Sequence, residues 1–504
     1  MVWLLRVLSR SSLLLCGLWA LQVSASSFES QQSNTTIFDG VRGEQGELSI
    51  DPNQTMHIWK ARESAEQNQL AKGFAYRKIY GDFIFTVQLK SQKNIEQLPN
   101  FGLQIDASEA GLSFKTKFDS NLNIGVELQQ GTKRIFLPRE AHIKNPDIFQ
   151  VEQIGKELVF SFANCGKPLK IIARYSLPTL QNMEVGVYRE FSATDKKTLE
   201  MKNLRWVIPA WKDFIPYYHY LGSRLEILDV VTGERKVIYE TAAGIEAPNW
   251  TSDGDTIIYN SSGRVYKLYL PTKKISLFNT GFEVKNNNDH IISFKGKTLG
   301  ITHMDKDIID NWHIYKLPIN GGEPQQLTFK APSYLHGWSP DGRYILYTSR
   351  RDNQFEIYRG NSDGSGEEVQ LTNNQSMDDG SEYTPDGKYI YFNSSRSGGM
   401  RLWRMDADGK NPKQITHDGF NDWFPHISPD GKNILFLSYL PDVEPDLHPY
   451  YKQVYLRMMP VTGGEPKVVA YLYGGQGTIN VPSWSPDGRY VAFVSNSQLG
   501  AEKH

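Results

Sequence analysis

The chain has 504 residues, and 55 Lys and Arg against 56 Asp and Glu give a formal charge of −1. That balance excludes an electrostatic nucleic-acid binder, because neutralising phosphates requires clustered cations. With 39% hydrophobic and 12% aromatic residues, the chain is not of disordered composition and has apolar side chains enough for two or more cores.

The first element is an address. Arg6 and Arg10 precede a short apolar run at 13–21, and Val23-Ser24-Ala25 supplies small residues for cleavage. The run is too short to span a bilayer comfortably, so 1–25 reads as a signal peptide and the protein as exported, periplasmic or secreted. Later in the chain no stretch is long and apolar enough for a transmembrane helix, so none is expected after cleavage. Of the two cysteines, only Cys165 remains, which leaves no internal disulfide. Its neighbours Phe162-Ala163-Asn164 carry no charge that would activate a thiol.

Residues 26–208 show alternating strand patterns at 81–89, 102–105, 122–128, 158–162, 183–188 and 204–207, with no helical periodicity beyond about two turns. An all-β sandwich is the expectation. Lys72-Gly73-Phe74-Ala75-Tyr76, Gly81-Asp82-Phe83 and Phe101-Gly102-Leu103-Gln104-Ile105 resemble concanavalin/laminin-G-like jelly rolls, and that resemblance implies carbohydrate binding. A linker at 206–216, with two prolines and three aromatics, reads as packed.

Residues 209–497 repeat. Trp338-Ser339-Pro340-Asp341-Gly342 recurs at 383–387, 427–431 and 484–488, with weaker copies at 250–254 and 292–296. The anchor glycines 254, 296, 342, 387, 431 and 488 are spaced by 42, 46, 45, 44 and 57 residues. A period in the forties with four strands per unit is the signature of propeller blades. In the third unit the strands are expected at 337–339, 344–348, 355–358 and 369–372, with a loop at 350–354. Six anchors predict six blades. The last unit has two strands of its own, and 224–229 with 236–240 are expected to complete it, closing the ring from both ends of the repeat region. Residues 498–504 are a tail.

These SPDG repeats, the Leu327-Thr328 and Leu371-Thr372 strand ends, and the Gly-Gly-Glu-Pro turns at 321–324 and 463–466 resemble the TolB-type β-propeller family over about 214–497. The segments 423–431 and 474–484 resemble a subgroup of exported bacterial proteins called TolB-like. TolB itself works with Tol-Pal partners and has a different N-terminal domain, and the N-terminal half here departs from that pattern. The fold class expected is therefore all-β, a jelly-roll-like sandwich followed by a six-bladed TolB-type propeller.

No Walker loop, CxxC, HExxH or Gly-x-Ser-x-Gly is present. Candidate chemistry lies on the propeller face that gathers the entries to the innermost strands and the connections between second and third strands. Six of the eleven His fall there, including His290 and His336 in one register and His426 one residue off it. His426 and His336 are the catalytic candidates. With His448 they are the candidate ligands for a divalent metal (Mn, Ca or Zn). Glu382, Arg396, Trp423, Gln476 and Asn480 are the candidate ligand-binding residues, Arg396 for an acidic group and Trp423 for a sugar ring. Asp305, Asp307, Asp379, Asp422, Arg350 and Arg351 share the face. The fifth unit's excess length falls at 439–451. Two function classes follow: a module binding glycan or an envelope protein, and a metal-dependent carbohydrate-active enzyme of the uronate lyase or glycoside-cleaving type, in which a neutral His removes a proton acidified by the metal.

Overall fold

A computed structural model describes residues 37–499, apart from 43–45, 51–55, 62–70, 91–100, 192–198, 217, 282–284, 306–307 and 309. The expected signal peptide, Asp307 and residues 500–504 lie outside the described residues. From Phe38 onward the chain forms one compact unit. It is all-β as expected: among the described residues the one helical element is a single 3-10 turn, Ser108–Ala110, and no helix is long and apolar enough to cross a membrane.

The N-terminal half forms two seven-stranded antiparallel sheets. One is centred on Met183–Phe191 and Phe101–Ala107, the other on Ile148–Ile154 and Phe83–Leu89. Alternate residues of each face the other sheet. Phe101 meets Phe149 and Phe114 meets Phe160, each pair with ring centroids 6.0 Å apart. Several strands are longer than their sequence pattern, and Ala71–Ile79, Leu112–Phe118, Ile148–Ile154 and Lys170–Ser176 are additional to those expected.

Among the described residues the C-terminal half forms six sheets: five of four strands and one of three. In the third, the strands are Ser333–Trp338, Tyr344–Arg351, Gln354–Asn361 and Val369–Gln370. The loop expected at 350–354 shrinks to Asp352-Asn353. Both residues have positive φ, 48° and 64°, which matches a tight hairpin to the strand twist and lets both strands run on.

The recurrent Pro-Asp-Gly turn is a hydrogen-bonded device. Ser339 Oγ donates to Asp341 Oδ1 at 2.6 Å and accepts from Tyr344 N at 2.9 Å, while Gly342 N donates to Ser339 O at 2.8 Å with φ 79°. Thr384, Ser428 and Ser485 make the same side-chain bonds to Asp386, Asp430 and Asp487. The bond from Ser339, followed by those from Arg343 N and Arg343 Nε, holds the Asp341 carboxyl down to about 2. Several of these turns lie beside the turn of the next sheet. A side-chain carbon placed on Gly387 would lie 3.7 Å from Pro340, and one on Gly254 would lie 3.9 Å from Pro486, which puts the sixth sheet beside the first.

Closure follows the expectation. Tyr490–Ser497 pairs antiparallel with Gly222–Asp229 along eight residues, and Arg235–Thr241 adds the third strand. The innermost place is taken by 478–485, which forms an isolated bridge, Trp484 to Val491, and hydrogen bonds from Ala492 N to Ser483 O at 2.9 Å and Val494 N to Thr478 O at 3.1 Å.

The closing sheet also binds the N-terminal half. Glu226, with no exposed surface, takes Arg235 Nη2 at 2.8 Å, Ser495 Oγ at 2.6 Å, and Arg205 Nη2 at 2.6 Å from the strand Leu199–Val207. Burial opposes ionisation of Glu226, but the two guanidiniums outweigh it and keep its carboxyl ionised. Gln150 donates to Gln453 at 2.9 Å, and Val468 N donates to Gly166 O at 3.0 Å. Removing one partner of a buried ion pair leaves charge uncompensated, so Arg205→Ala should lower stability by about 3 kcal/mol in denaturant unfolding. A change within error would show that Arg235 alone satisfies Glu226.

Candidate functional site

The site is built by one irregularity repeated five times. The innermost strands of the first five sheets shift register at the same place, for example between Leu335 and Gly337 and between Asp379 and Glu382. A bulge re-aims the side chains around it. Here Asn249, Glu382 and His426, after their bulges, bond the neighbouring sheet, while Glu246, His336 and Asp379, at or before theirs, cluster at the axial mouth.

The inner layer is a set of bolts. Asn249 accepts from Ile292 N at 3.0 Å and donates to Pro482 O at 2.5 Å. Glu382 accepts from Ile427 N at 3.1 Å and pairs with His426 Nδ1 at 2.8 Å. His426 Nε2 faces the Ile479 carbonyl, and Trp484 Nε1 donates to His426 O at 3.1 Å. Sheets four, five and six are joined there. His426 and Glu382 therefore pair with each other, whereas His336 takes a different partner.

The outer layer is polar and titratable. His336 Nε2 pairs with Asp379 Oδ1 at 2.8 Å, and the same oxygen accepts from Thr348 Oγ1 at 2.7 Å and Gly380 N at 2.8 Å. Burial pushes Asp379 up, but the His336 charge and bond win and hold it at about 2. Burial also opposes the charge on His336, yet Asp379 and Asp289 raise its pKa. Asp289 has no such cation to itself. Burial drives it up to about 6, with His336 offsetting part of the rise and Asp379 adding to it. Burial carries Glu246 to about 7, against hydrogen bonds from Tyr450, at 3.0 Å, and Asn288. The sixth sheet's entry contributes a chain of amides: Gln476 to Asn288 at 3.4 Å, Asn480 to Gln476 at 3.1 Å, and Gly477 N to Asn480 Oδ1 at 2.6 Å.

His448, from the long connection, stands edge-on to Trp423, with centroids 4.5 Å apart, and to Phe424 at 5.6 Å. Phe424 is also stacked on His336 at 6.3 Å. Burial lowers the His448 pKa against the pull of Asp379.

Of the residues nominated from sequence, His336, His448, Gln476 and Asn480 gather at the mouth. Arg396 is engaged by Asp378 at 2.6 Å and lies over Trp403. Trp423 has no exposed surface. Among the described residues no group of three or more His, Cys, Asp or Glu is arranged to hold a metal ion. A concavity of about 440 Å³, counting its open side, lies elsewhere, between the two halves of the protein beside Gln150, Arg205, Gln453 and Tyr471. Glu246, Asn288 and Asp289 were missed. Glu246, Asn288, Asp379 and Asn480 each stand four residues before the anchor position, at 250, 292, 383 and 484, so a polar column in that register was the available signal.

The ring of sheets and its polar axis define a β-propeller. Residues 336–442 match the model of the TolB beta propeller domain. An uncharacterized protein of Agrobacterium fabrum is 43% identical over 279 residues, 54% of this chain and 92% of that protein. A solved structure assigned provisionally to TolB, from Agrobacterium tumefaciens, is 41% identical with a TM-score of 0.53, over 55% of this chain and 99% of that one. TolB from Acinetobacter baumannii is 18% identical with a TM-score of 0.38, over 63% of this chain and 77% of that one. The chain belongs to the TolB-type β-propeller family.

Glu246 sets a pH dependence. Its folded pKa of about 7 exceeds the ordinary 4.5, so folding favours the neutral form. That contribution is complete below 4.5 and is lost as the pH rises through 7. Asp289 acts alike between 3.8 and about 6. Urea unfolding across this range should show stability falling with pH in the wild type and a shallower fall in Glu246→Gln. Parallel curves would contradict the burial of an unpaired acid.

Proposed function

We propose that this protein is an exported binding module of the bacterial envelope, which holds a protein partner at the axial mouth through Asp289, His336, Asp379 and the amides of the sixth sheet's entry. The domain order is a signal peptide at 1–25, a sandwich at 26–208 and a six-bladed propeller at 209–497. The observation that carries the reading is the engagement of the chemically capable side chains by one another: His336 by Asp379, His426 by Glu382, Arg396 by Asp378. Side chains so engaged hold charge and hydrogen-bonding groups in fixed places, and at the mouth the His336–Asp379 pair offers them for recognition of a partner. Family membership supports a propeller scaffold for it, since function rests on the site more than on the fold. A metal-dependent carbohydrate-active enzyme is the second reading. Two high-pKa carboxyls beside a His-Asp pair favour it, because perturbed acids collect at active sites.

The test is retention of envelope proteins by the immobilised full chain. A discrete protein should be held by the wild type and reduced roughly tenfold or more by Asp379→Asn, as expected when one charge of a recognition pair is lost. Equal retention by the variant, or no retained protein at all, would sink the reading. Binding on a glycan array in place of protein capture would make the partner a carbohydrate. Stoichiometric Mn, Zn or Ca on the purified protein would move the account to the enzyme.

A further inference from the structure

The connection between the second and third strands of the fifth propeller sheet is out of scale. It runs through twelve residues, 440–451, where the corresponding connections have two at 262–263, two at 352–353, six at 395–400 and seven at 305–311. A long connection on a rigid scaffold either wanders or covers something. This one covers the axial mouth. It leaves the sheet at Tyr439 and reaches three other places. Asn421 donates to Val443 O at 2.8 Å on its own sheet. Gln476 N donates to Pro449 O at 3.2 Å at the sixth sheet's entry. Tyr450 Oη donates to Glu246 Oε1 at 3.0 Å on the first sheet. Leu221 N, in the connector between the two halves, donates to Tyr451 Oη at 3.3 Å.

The loop is two-sided. Asp442, Glu444 and Asp446 are exposed, while Tyr450 and Tyr451 are buried and His448 lies against Trp423 and Phe424. Beneath it lies the cluster of His336, Asp379 and Asp289. The loop makes no strand ladder with any neighbour. Its C-terminal end is anchored by Tyr450 and Tyr451, packed among Ile84, Val207, Leu221 and Tyr473, while 440–449 are held by single hydrogen bonds and by the ring contacts of His448. A segment without ladder bonds opens at lower cost than the sheets around it. Tyr451, where the loop rejoins the sheet, has a φ of 58°, an uncommon conformation for a bulky residue and one found at switch segments.

We propose that residues 440–451 are a lid over the axial mouth, latched by the Tyr450–Glu246 hydrogen bond and wedged by His448, and that the lid must lift for the partner to reach His336, Asp379 and Asp289. This rests on the reading of the mouth as the binding face. It adds a gate: binding is limited by the population of the open lid, so weakening the latch strengthens apparent affinity.

Hydrogen–deuterium exchange of the full chain tests the gate without any partner. In Tyr450→Phe the amides of 442–449 should exchange roughly fivefold faster, the factor given by loss of one ordinary hydrogen bond. Sheet amides should be unchanged. Glu246→Ala should produce the same local gain, and the double variant should add nothing further, since both changes break one latch. Unchanged exchange at 442–449 in both single variants would overturn the lid, and so would a gain spread evenly over all six sheets. Because this readout involves no ligand, the lid can fail while partner capture and its loss in Asp379→Asn still stand. The converse outcome is equally distinguishable.

Discussion

The pairing of Tyr490–Ser497 with Gly222–Asp229 is the constraint on which the rest depends. Ladder hydrogen bonds between strands more than 260 residues apart turn a row of sheets into a ring. An unclosed row would leave the edges of these two strands open, whereas the closed ring pairs them with each other. Closure also makes the axis. Glu246 from the first sheet, Asp379 from the fourth and Gln476 from the sixth are separated in sequence and meet only because the first sheet returns to the sixth. The same closing sheet carries Glu226, whose bond to Arg205 ties the N-terminal half to the ring. One strand pairing therefore fixes both the site and the joint between the halves.

Along the axis the structure separates two tasks by depth. The inner layer satisfies its buried polar groups with neighbours: Asn249, Glu382 and His426 each bond backbone of an adjoining sheet. Those bonds are structural, and a buried polar network fully satisfied rigidifies the core around it. The outer layer is unbalanced. Asp379 has the charge of His336, but buried Asp289 and partly buried Glu246 have hydrogen bonds and no cation of their own, and desolvation raises their pKa values. A folded protein that keeps uncompensated acids at a mouth covered by an over-long loop departs from local economy in the one place where function is expected.

The ring was legible in the sequence because every repeat needs the same turn. Ser or Thr, Asp and Gly recur at fixed spacing since each makes one bond or one backbone conformation of that turn, as Ser339, Asp341 and Gly342 do. The closing strands were legible for a related reason, since the sixth repeat had two strands and an unassigned pair lay upstream. Strands such as Ala71–Ile79 and Lys170–Ser176 were not, because Lys72, Arg77, Lys78 and Arg174 interrupt the apolar alternation on strands that are hydrogen-bonded on both sides or lie at an edge. At the site, histidine positions were legible and their partners were not. His336 and His426 differ by one register position, and the bulge turns that single step into two destinations, Asp379 at the mouth and Glu382 in the bolt. Bulges leave no composition signal, so Glu246 and Asn288 stayed hidden despite the polar column they belong to, and Asp289 stands one place off it.

Removing the closing strand tests the central claim most directly. A chain ending after Val481 loses Tyr490–Ser497 but keeps the other five sheets and the N-terminal half intact in sequence. Thermal unfolding followed by circular dichroism should show loss of the cooperative transition of the propeller, with the exposed edge driving association. A truncated chain that still melts cooperatively at the wild-type temperature would contradict the account, because the ring would then hold without the interaction on which the site and the joint are argued to depend.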